Sequence, residues 1–239
     1  MMKKVLAAAA TATMIAGAAL AAAPAAPAAT AASPASTVDA WYGHFLGREA
    51  DAGSRYWVKQ IEAGARASDQ IWAITHSDEY NREDIAAYYA FYLSREPDVG
   101  VRYWQQGANA QRFPLEWVEQ NVAASPEAVA AANRRGDGDL IQTWYYGALG
   151  AGGTFRFPDQ GEVAYWNARV RAIGALGAYR ELYYTPEAVT ARITNWYARL
   201  LGRKPSAGEV AYWYPKEVES DINVGVLIAS TPEYADLAD

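Results

Sequence analysis

Four short loops carry the residues of this sequence best equipped for chemistry. They read Arg48-Glu49-Ala50-Asp51, Arg95-Glu96-Pro97-Asp98, Arg156-Phe157-Pro158-Asp159 and Arg203-Lys204-Pro205-Ser206. Glu49 with Asp51, and Glu96 with Asp98, offer the hard oxygen ligands that calcium takes. The third loop lacks the glutamate, however, and the fourth has Ser206, a poor calcium ligand, where the others have aspartate. Asp and Ser share competence as helix N-caps, and Glu162 and Glu209 stand three residues on, where they complete a capping box. The loops are therefore expected to start helices and to hold no metal. Each arginine is expected to tie its loop to the last carbonyls of the preceding helix or to a carboxylate such as Glu79 or Glu127.

Other reactive constellations are sparse. His44 and His76 are the only histidines and there is no cysteine, so a zinc site would need carboxylates for most of its ligands. His44 reads as an exposed turn residue and His76 as the residue before a cap. No Gly-x-Ser-x-Gly elbow or His-Glu-x-x-His helix occurs. A carboxylate pair could serve a glycosidase, but 27 acids make such pairs unremarkable. No catalytic residue and no cofactor is assigned. Arg135-Gly136-Asp137 matches an adhesion tripeptide, yet a glycine ending one helix before an aspartate cap accounts for it equally. Gly150 to Thr154 is glycine-rich but lacks the Gly-Lys-Ser/Thr ending of a phosphate loop. Among the aromatics, Trp72, Trp117, Phe155, Phe157 and the Tyr183-Tyr184 pair are the candidate ligand platforms, because no recurring pattern demands them.

The elements that position these residues follow from internal recurrence. Tyr56-Trp57, Tyr103-Trp104, Tyr165-Trp166 and Tyr212-Trp213 set tryptophans 47, 62 and 47 residues apart, each preceded by a glycine: Gly53, Gly100, Gly161 and Gly208. Upstream lie Trp41-Tyr42, Tyr88-Tyr89, Trp144-Tyr145 and Trp196-Tyr197; downstream, Ser77-Asp78-Glu79, Ser125-Pro126-Glu127, Thr185-Pro186-Glu187 and Thr231-Pro232-Glu233. The last three read as a cap, a proline in the first turn and an acid. A first helix is expected over Asp39 to Leu46, ending at Gly47. A second carries Tyr56, Trp57 and Ile61 on one face and ends near Gly64, and a third starts near Ser68. The unbroken run from Asp78 to Leu93 predicts that one closing helix continues as the next opening helix. No period-two alternation is sustained, so the fold class is all-α, with four degenerate three-helix repeats of about 47 residues packed as one helical array. In this reading Trp57, Trp104, Trp166 and Trp213 are packing residues.

The chain opens on Met1, Met2, Lys3 and Lys4, an apolar run to Leu20, and Ala/Pro repeats with several Ala-x-Ala sites, the pattern of a signal peptide. Cleavage is expected between residues 25 and 35. Losing Lys3 and Lys4 takes the formal charge from −6 to −8, which excludes nucleic acid as a natural partner. No transmembrane segment is expected after cleavage. With no disulfides available the fold must hold by burial, for which 9 Trp and 17 Tyr provide. The divisions expected are a signal peptide (1–30), an Ala/Pro/Ser linker (31–37) and repeats at 38–84, 85–133, 139–192 and 193–239. The third repeat has a loop insertion at 151–155.

Leu46-Gly47-Arg48-Glu49-Ala50-Asp51-Ala52-Gly53-Ser54-Arg55-Tyr56-Trp57, closed by Ser77-Asp78-Glu79-Tyr80, resembles the bacterial repeat family called domain of unknown function 4214. Its pattern is Leu-Gly-Arg-x-Pro-Asp-x-x-Gly-x-x-Tyr-Trp, then Ser-x-Glu-Tyr. The second stretch has Ser94 for the glycine, the fourth Ser206 for the aspartate, and the third diverges most. The resemblance implies an exported or surface-associated protein with a fold similar to the helical domain of phycobilisome linkers, and no catalytic residues. The expected function is that of a secreted, non-enzymatic scaffold or binding protein of the bacterial envelope or extracellular space, its partner a protein or an envelope polysaccharide. A glycan-binding module is the alternative, and a carboxylate-based polysaccharide hydrolase stands third. Lengthened loops on a rigid scaffold often bind, which makes Arg135, Gly136, Asp137, Phe155 and Phe157 the candidate binding residues. Arg48, Asp51, Gly53, Trp57, Arg95, Asp98, Gly100, Trp104, Arg156, Asp159, Gly161, Trp166, Arg203, Ser206, Gly208 and Trp213 form the structural motif.

Overall fold

A computed structural model describes residues 32–135, 139–150 and 156–237. Helix starts follow the Ser/Thr signals. Ser33, Ser77, Ser125, Thr185 and Thr231 each accept, through the side-chain oxygen, the backbone N–H three residues on, and Pro34, Pro126, Pro186 and Pro232 open four of those five helices. The helices are α1 (Pro34–Trp41), α2 (Arg55–Glu62), α3 (Ala67–Thr75), α4 (Asp78–Tyr88), α5 (Val101–Asn109), α6 (Leu115–Ala123) and α7 (Pro126–Arg135). They continue as α8 (Asp139–Leu149), α9 (Gln160–Tyr183), α10 (Pro186–Leu201), α11 (Ala207–Glu219), α12 (Asp221–Ala229) and α13 (Pro232–Leu237). No strand occurs among the described residues. The fold is all-α.

Two boundaries differ from expectation. Helix α1 begins at Pro34, inside the stretch read as linker, because Ser33 caps it. Both α1 and α4 run into a π-helical turn, Tyr42–Leu46 and Tyr89–Leu93. The expected continuity from Asp78 to Leu93 therefore holds, with a widened last turn. The chain then leaves each opening helix through a left-handed residue: Gly47, Ser94, Gly150 and Gly202 have φ of 65°, 54°, 75° and 63°. Only Ser94 carries a Cβ there, a conformation that favours glycine. Helix α9 is broken at Gly174, whose φ of 79° and ψ of 163° let two helices meet.

Packing does not stop at neighbours in sequence. Helix α10 packs on α8, α11 and α12, and α12 packs in turn on α3. Its Ile222, Val224, Val226 and Ile228 are all buried, as a helix flanked on several sides requires. At Gly225 a Cβ would stand 2.7 Å from the Trp196 ring, so glycine lets α12 and α10 approach. His44 and Tyr234 hydrogen-bond at 2.8 Å across nearly the whole chain. The first and last stretches thus meet, and His44 is a half-buried tie between them rather than an exposed turn residue.

One buried network joins the middle of the fold. The Tyr92 and Tyr179 hydroxyls lie 2.8 Å apart and both donate to Glu119, at 2.6 and 3.1 Å. Burial pushes the Glu119 carboxyl up to about 7, against those hydrogen bonds and Arg192. An acid whose folded pKa lies above its unfolded value gives stability that is complete at low pH and is lost as pH rises through the folded pKa. His44 and His76, lowered by burial, act in the opposite sense. Glu119→Gln should therefore raise the melting temperature relative to the parent progressively from pH 5 to pH 8, the window set by that shift. A constant difference across that range would mean that Glu119 is already ionised in the fold.

Candidate functional site

The four arginine loops build one constellation at four places. Trp57, Trp104, Trp166 and Trp213 each donate the indole N–H to a tyrosine hydroxyl, of Tyr42, Tyr89, Tyr145 and Tyr197, at 3.0, 3.2, 3.0 and 2.9 Å. Over the same four rings lie Arg48, Arg95, Arg156 and Arg203, 4.8 to 5.3 Å from the centroids. Each guanidinium is gripped through Nε and Nη2 by the glutamate of the closing Ser/Thr-x-Glu signal, Glu79, Glu127, Glu187 or Glu233. The arginines are bound to carboxylates, as the loops' sequence suggested.

The third contact of each guanidinium explains Ser206. In the first two loops the arginine reaches Asp51 and Asp98, at 3.0 and 3.3 Å. In the last two it reaches the capping-box acids Glu162 and Glu209, which also accept from the backbone N–H of Asp159 and Ser206. A glutamate three residues on frees the cap position from pairing the arginine, so a serine suffices. Asp51 spends one oxygen on the N–H groups of Gly53 and Ser54 and the other on Arg48. Among the described residues no group of three or more metal-ligating side chains is placed to hold an ion. The glycines Gly53, Gly100, Gly161 and Gly208 stand in the turns these caps close.

The tryptophans are unequal as packing residues. Trp166 and Trp213 are buried, whereas Trp57 and Trp104 are half-buried. The tyrosines before them are a correction: Tyr56 does not share the Trp57 face, and Tyr56, Tyr103, Tyr165 and Tyr212 are 55 to 60% exposed, edge-on to the adjacent indole. Gly136, Asp137, Phe155 and the side chain of Arg135 lie outside the described residues, as do the proposed signal peptide and the 151–155 insertion. Phe157 is exposed, and it borders none of the depressions described next.

The remaining non-repeated aromatics converge. Three adjoining depressions cross the face where α3, α6, the end of α9 and the α11–α12 junction meet. The first, about 470 Å³, lies between Trp117, Tyr184, Arg180 and Glu116. The second, about 290 Å³, shares Glu116 and Glu219 with it and runs under Phe113 to Trp72 and His76, with Asn81, Gln111 and Asn223 along its walls. The third, about 420 Å³, continues past Trp72 and Glu219 to Asp69 and Lys216. Trp72 is braced as a platform by the parallel His76 ring, with centroids 4.1 Å apart at 18°, and His76 bonds back to the Trp72 carbonyl at 2.8 Å. Trp117 is wedged between Phe113 and Trp104, with centroids at 4.7 and 5.6 Å. The Tyr184 hydroxyl is held by Gln120, which Arg180 holds in turn.

The polar floor was not legible in the sequence. Glu116 accepts from Ser220 Oγ at 2.9 Å and from the Ile222 N–H at 3.4 Å, while burial and then Asp221 push its carboxyl above the usual range. Below it, Arg192 donates through Nε to Glu217 at 2.6 Å and stacks on Tyr183. Burial and the Asp221 charge hold Glu217 up at about 10 against the pull of Arg192. Glu217 Oε2 has no hydrogen-bond partner among the described residues. Glu217 is 2% exposed and cannot reach a ligand, whereas Glu116, Glu219 and Asp69 line the groove. Only the aromatics standing outside the recurring pattern, Trp72, Trp117 and Tyr184, could have marked this place in advance.

No family model, no curated protein and no solved structure matches the chain. No helix among the described residues is long and apolar enough to cross a membrane.

If the third arginine contact is what Ser206 surrenders to Glu209, then Glu209→Ala should cost about 1 kcal/mol. Adding Ser206→Asp should recover roughly half of that, as the aspartate takes Arg203 in the way Asp51 takes Arg48. Urea denaturation of the single and double variants measures both. A double variant no better than Glu209→Ala would show that the two acids are not interchangeable partners.

Proposed function

We propose that this is an exported, non-enzymatic binding protein of the cell envelope or extracellular space, and that its aromatic groove holds a glycan chain. In this reading the four loop constellations define four degenerate repeats that serve as scaffold, consistent with the motif resemblance and with the signal-peptide pattern at the N-terminus. The observation that carries the reading is the run of three adjoining depressions floored by braced rings, Trp72, Phe113, Trp117 and Tyr184, and walled by amides and carboxylates. An aromatic face covers the apolar face of a sugar ring, while Asn, Gln, Glu and Arg groups meet its hydroxyls. A continuous run of such depressions fits an extended polymer better than a single small molecule. The burial of Glu217 and the commitment of Glu116 to Ser220 and Ile222 favour holding over cleaving.

A protein partner is favoured instead by the four exposed tyrosines, which recur without being needed to fill a core. The two readings separate experimentally. The full chain, offered a glycan array and purified cell-wall polysaccharide, should retain a polysaccharide without releasing reducing ends. Trp117→Ala should weaken that retention about tenfold, and Trp72→Ala, which removes a ring 39% exposed, should do the same with little change in melting temperature. Retention that survives both substitutions but is lost on Tyr103→Ser would move the function to the tyrosines. Turnover of the polysaccharide would make the protein a hydrolase.

A further inference from the structure

A second cavity, separate from the groove, lies between α4, α10 and the first turn of α12. It holds about 150 Å³ and is lined by Tyr80, Asp84, Arg192, Asn195, Trp196, Arg199 and Asp221. Its wall is almost wholly polar and carries both charges: two guanidinium groups from α10, one carboxyl from α4 and one from α12. Arg192 is only 6% exposed, and its fork is nearly spent. Nε goes to Glu217, Nη1 goes to the Tyr183 and Ala148 carbonyls, and Nη2 has no acceptor among the described residues. A buried guanidinium N–H without a partner is costly, and such groups are ordinarily satisfied by water, an ion or a ligand. Nη2 is thus the one guanidinium nitrogen of Arg192 left without an acceptor among the described residues, and it is buried.

The opposite wall is prepared for a cation. Asp221 accepts from Trp196 Nε1, which fixes its orientation, and Asp84 stands beside Tyr80 on the wall of the cavity. Burial holds the Asp84 carboxyl at about 7, lowered by Tyr80 and Arg199 and raised by Asp221 and Glu116. A group in that state ionises fully when a positive charge arrives beside it. Arg199 is exposed at the rim, where one of its nitrogens donates to the His44 carbonyl. Asn195, half-buried between the two arginines on α10, offers both a donor and an acceptor.

We propose that this cavity binds a small α-amino acid as its zwitterion, the carboxylate against Arg192 and Arg199 and the ammonium against Asp84 and Asp221. A simple anion would meet two aspartates and a simple cation two arginines, so neither alone satisfies the wall. A dipolar molecule satisfies both, and guanidinium forks match carboxylate geometry. The cavity is the smallest of those described and has room for an amino acid with a short side chain. The inference is independent of the groove: the ligand, the pocket and the residues tested all differ.

The test is a titration of the full chain with glycine, L-alanine, D-alanine and L-serine, followed by calorimetry and by the Trp196 indole N–H resonance. Acetate, methylamine, N-acetylglycine and glycine methyl ester serve as probes that each lack one of the two charges. At least one free amino acid should bind saturably and shift the Trp196 resonance, with the one-charge probes about tenfold weaker or silent. Asp84→Asn, which keeps the shape of the side chain and removes its charge, should weaken amino-acid binding about tenfold while leaving retention of polysaccharide unchanged, and Arg199→Gln should weaken it less. Three results would overturn the proposal: no saturable binding of any of the four at tens of millimolar, an equal response to a one-charge probe, or binding that leaves the Trp196 resonance unmoved. The resonance on the unsubstituted chain decides the matter even if a variant fails to fold.

Discussion

A guanidinium lying on a tyrosine ring and clamped end-on by a glutamate is the interaction from which the rest of this structure follows. The tyrosine belongs to an opening helix, the arginine to the loop after it, and the glutamate to the first turn of a closing helix some thirty residues on. A single contact set therefore fixes three segments, and the tryptophan that donates to the same tyrosine hydroxyl fixes a fourth. The parts reinforce one another. The ring orients the planar fork, the fork holds the carboxylate in two parallel bonds, and the glutamate's place at a helix N-terminus is itself favourable for an anion. As exposed ion pairs these bonds would contribute little singly. Their value lies in geometry, since a lysine in place of arginine lacks the planar fork that holds the carboxylate in two parallel bonds.

Because this framework accounts for its own aromatics, the aromatics left over stand out as needing another explanation. Trp72, Phe113, Trp117 and Tyr184 have no counterpart in every stretch, and they come together on one face with their rings braced by neighbours. Bracing matters for a binding surface, because a ring already held in place loses little rotamer freedom when a ligand covers it. The groove is also where the scaffold's regularity ends. The α11–α12 junction at Ser220 has extended backbone rather than a left-handed turn, and its side chain and the following N–H are satisfied by Glu116 from another stretch.

Below that face, acids are concentrated beyond what two arginines can neutralise. Asp221 raises Glu116, Glu119, Glu217 and Asp84 alike, and burial raises all four. Apolar side chains of similar volume would serve stability as well or better. The directional bonds of these groups, Tyr92 and Tyr179 to Glu119, Trp196 to Asp221 and Arg192 to Glu217, join elements from different stretches.

Local chemistry was enough to determine much of this from the sequence. The caps at Ser77, Ser125, Thr185 and Thr231, the capping boxes at Asp159 and Ser206, the left-handed exit at Gly47, the helix continuing through Asp78 to Leu93 and the Arg48–Glu79 and Arg95–Glu127 ties all depend on residues a few turns apart or on a pattern seen four times. The all-α class follows from the same spacing. Tertiary structure alone decided that α12 lies on α3, that His44 bonds to Tyr234, and that Arg192 is buried beside Glu217 while Tyr56 is left in solvent. A periodic pattern specifies which face of a helix is apolar, but not which of several similar faces it meets. That choice rests on the fit of particular side chains at contacts far apart in the chain, such as the Trp196 ring against Gly225. The groove and the smaller cavity between α4, α10 and α12 both lie at those contacts, so neither could be read from the spacing of residues.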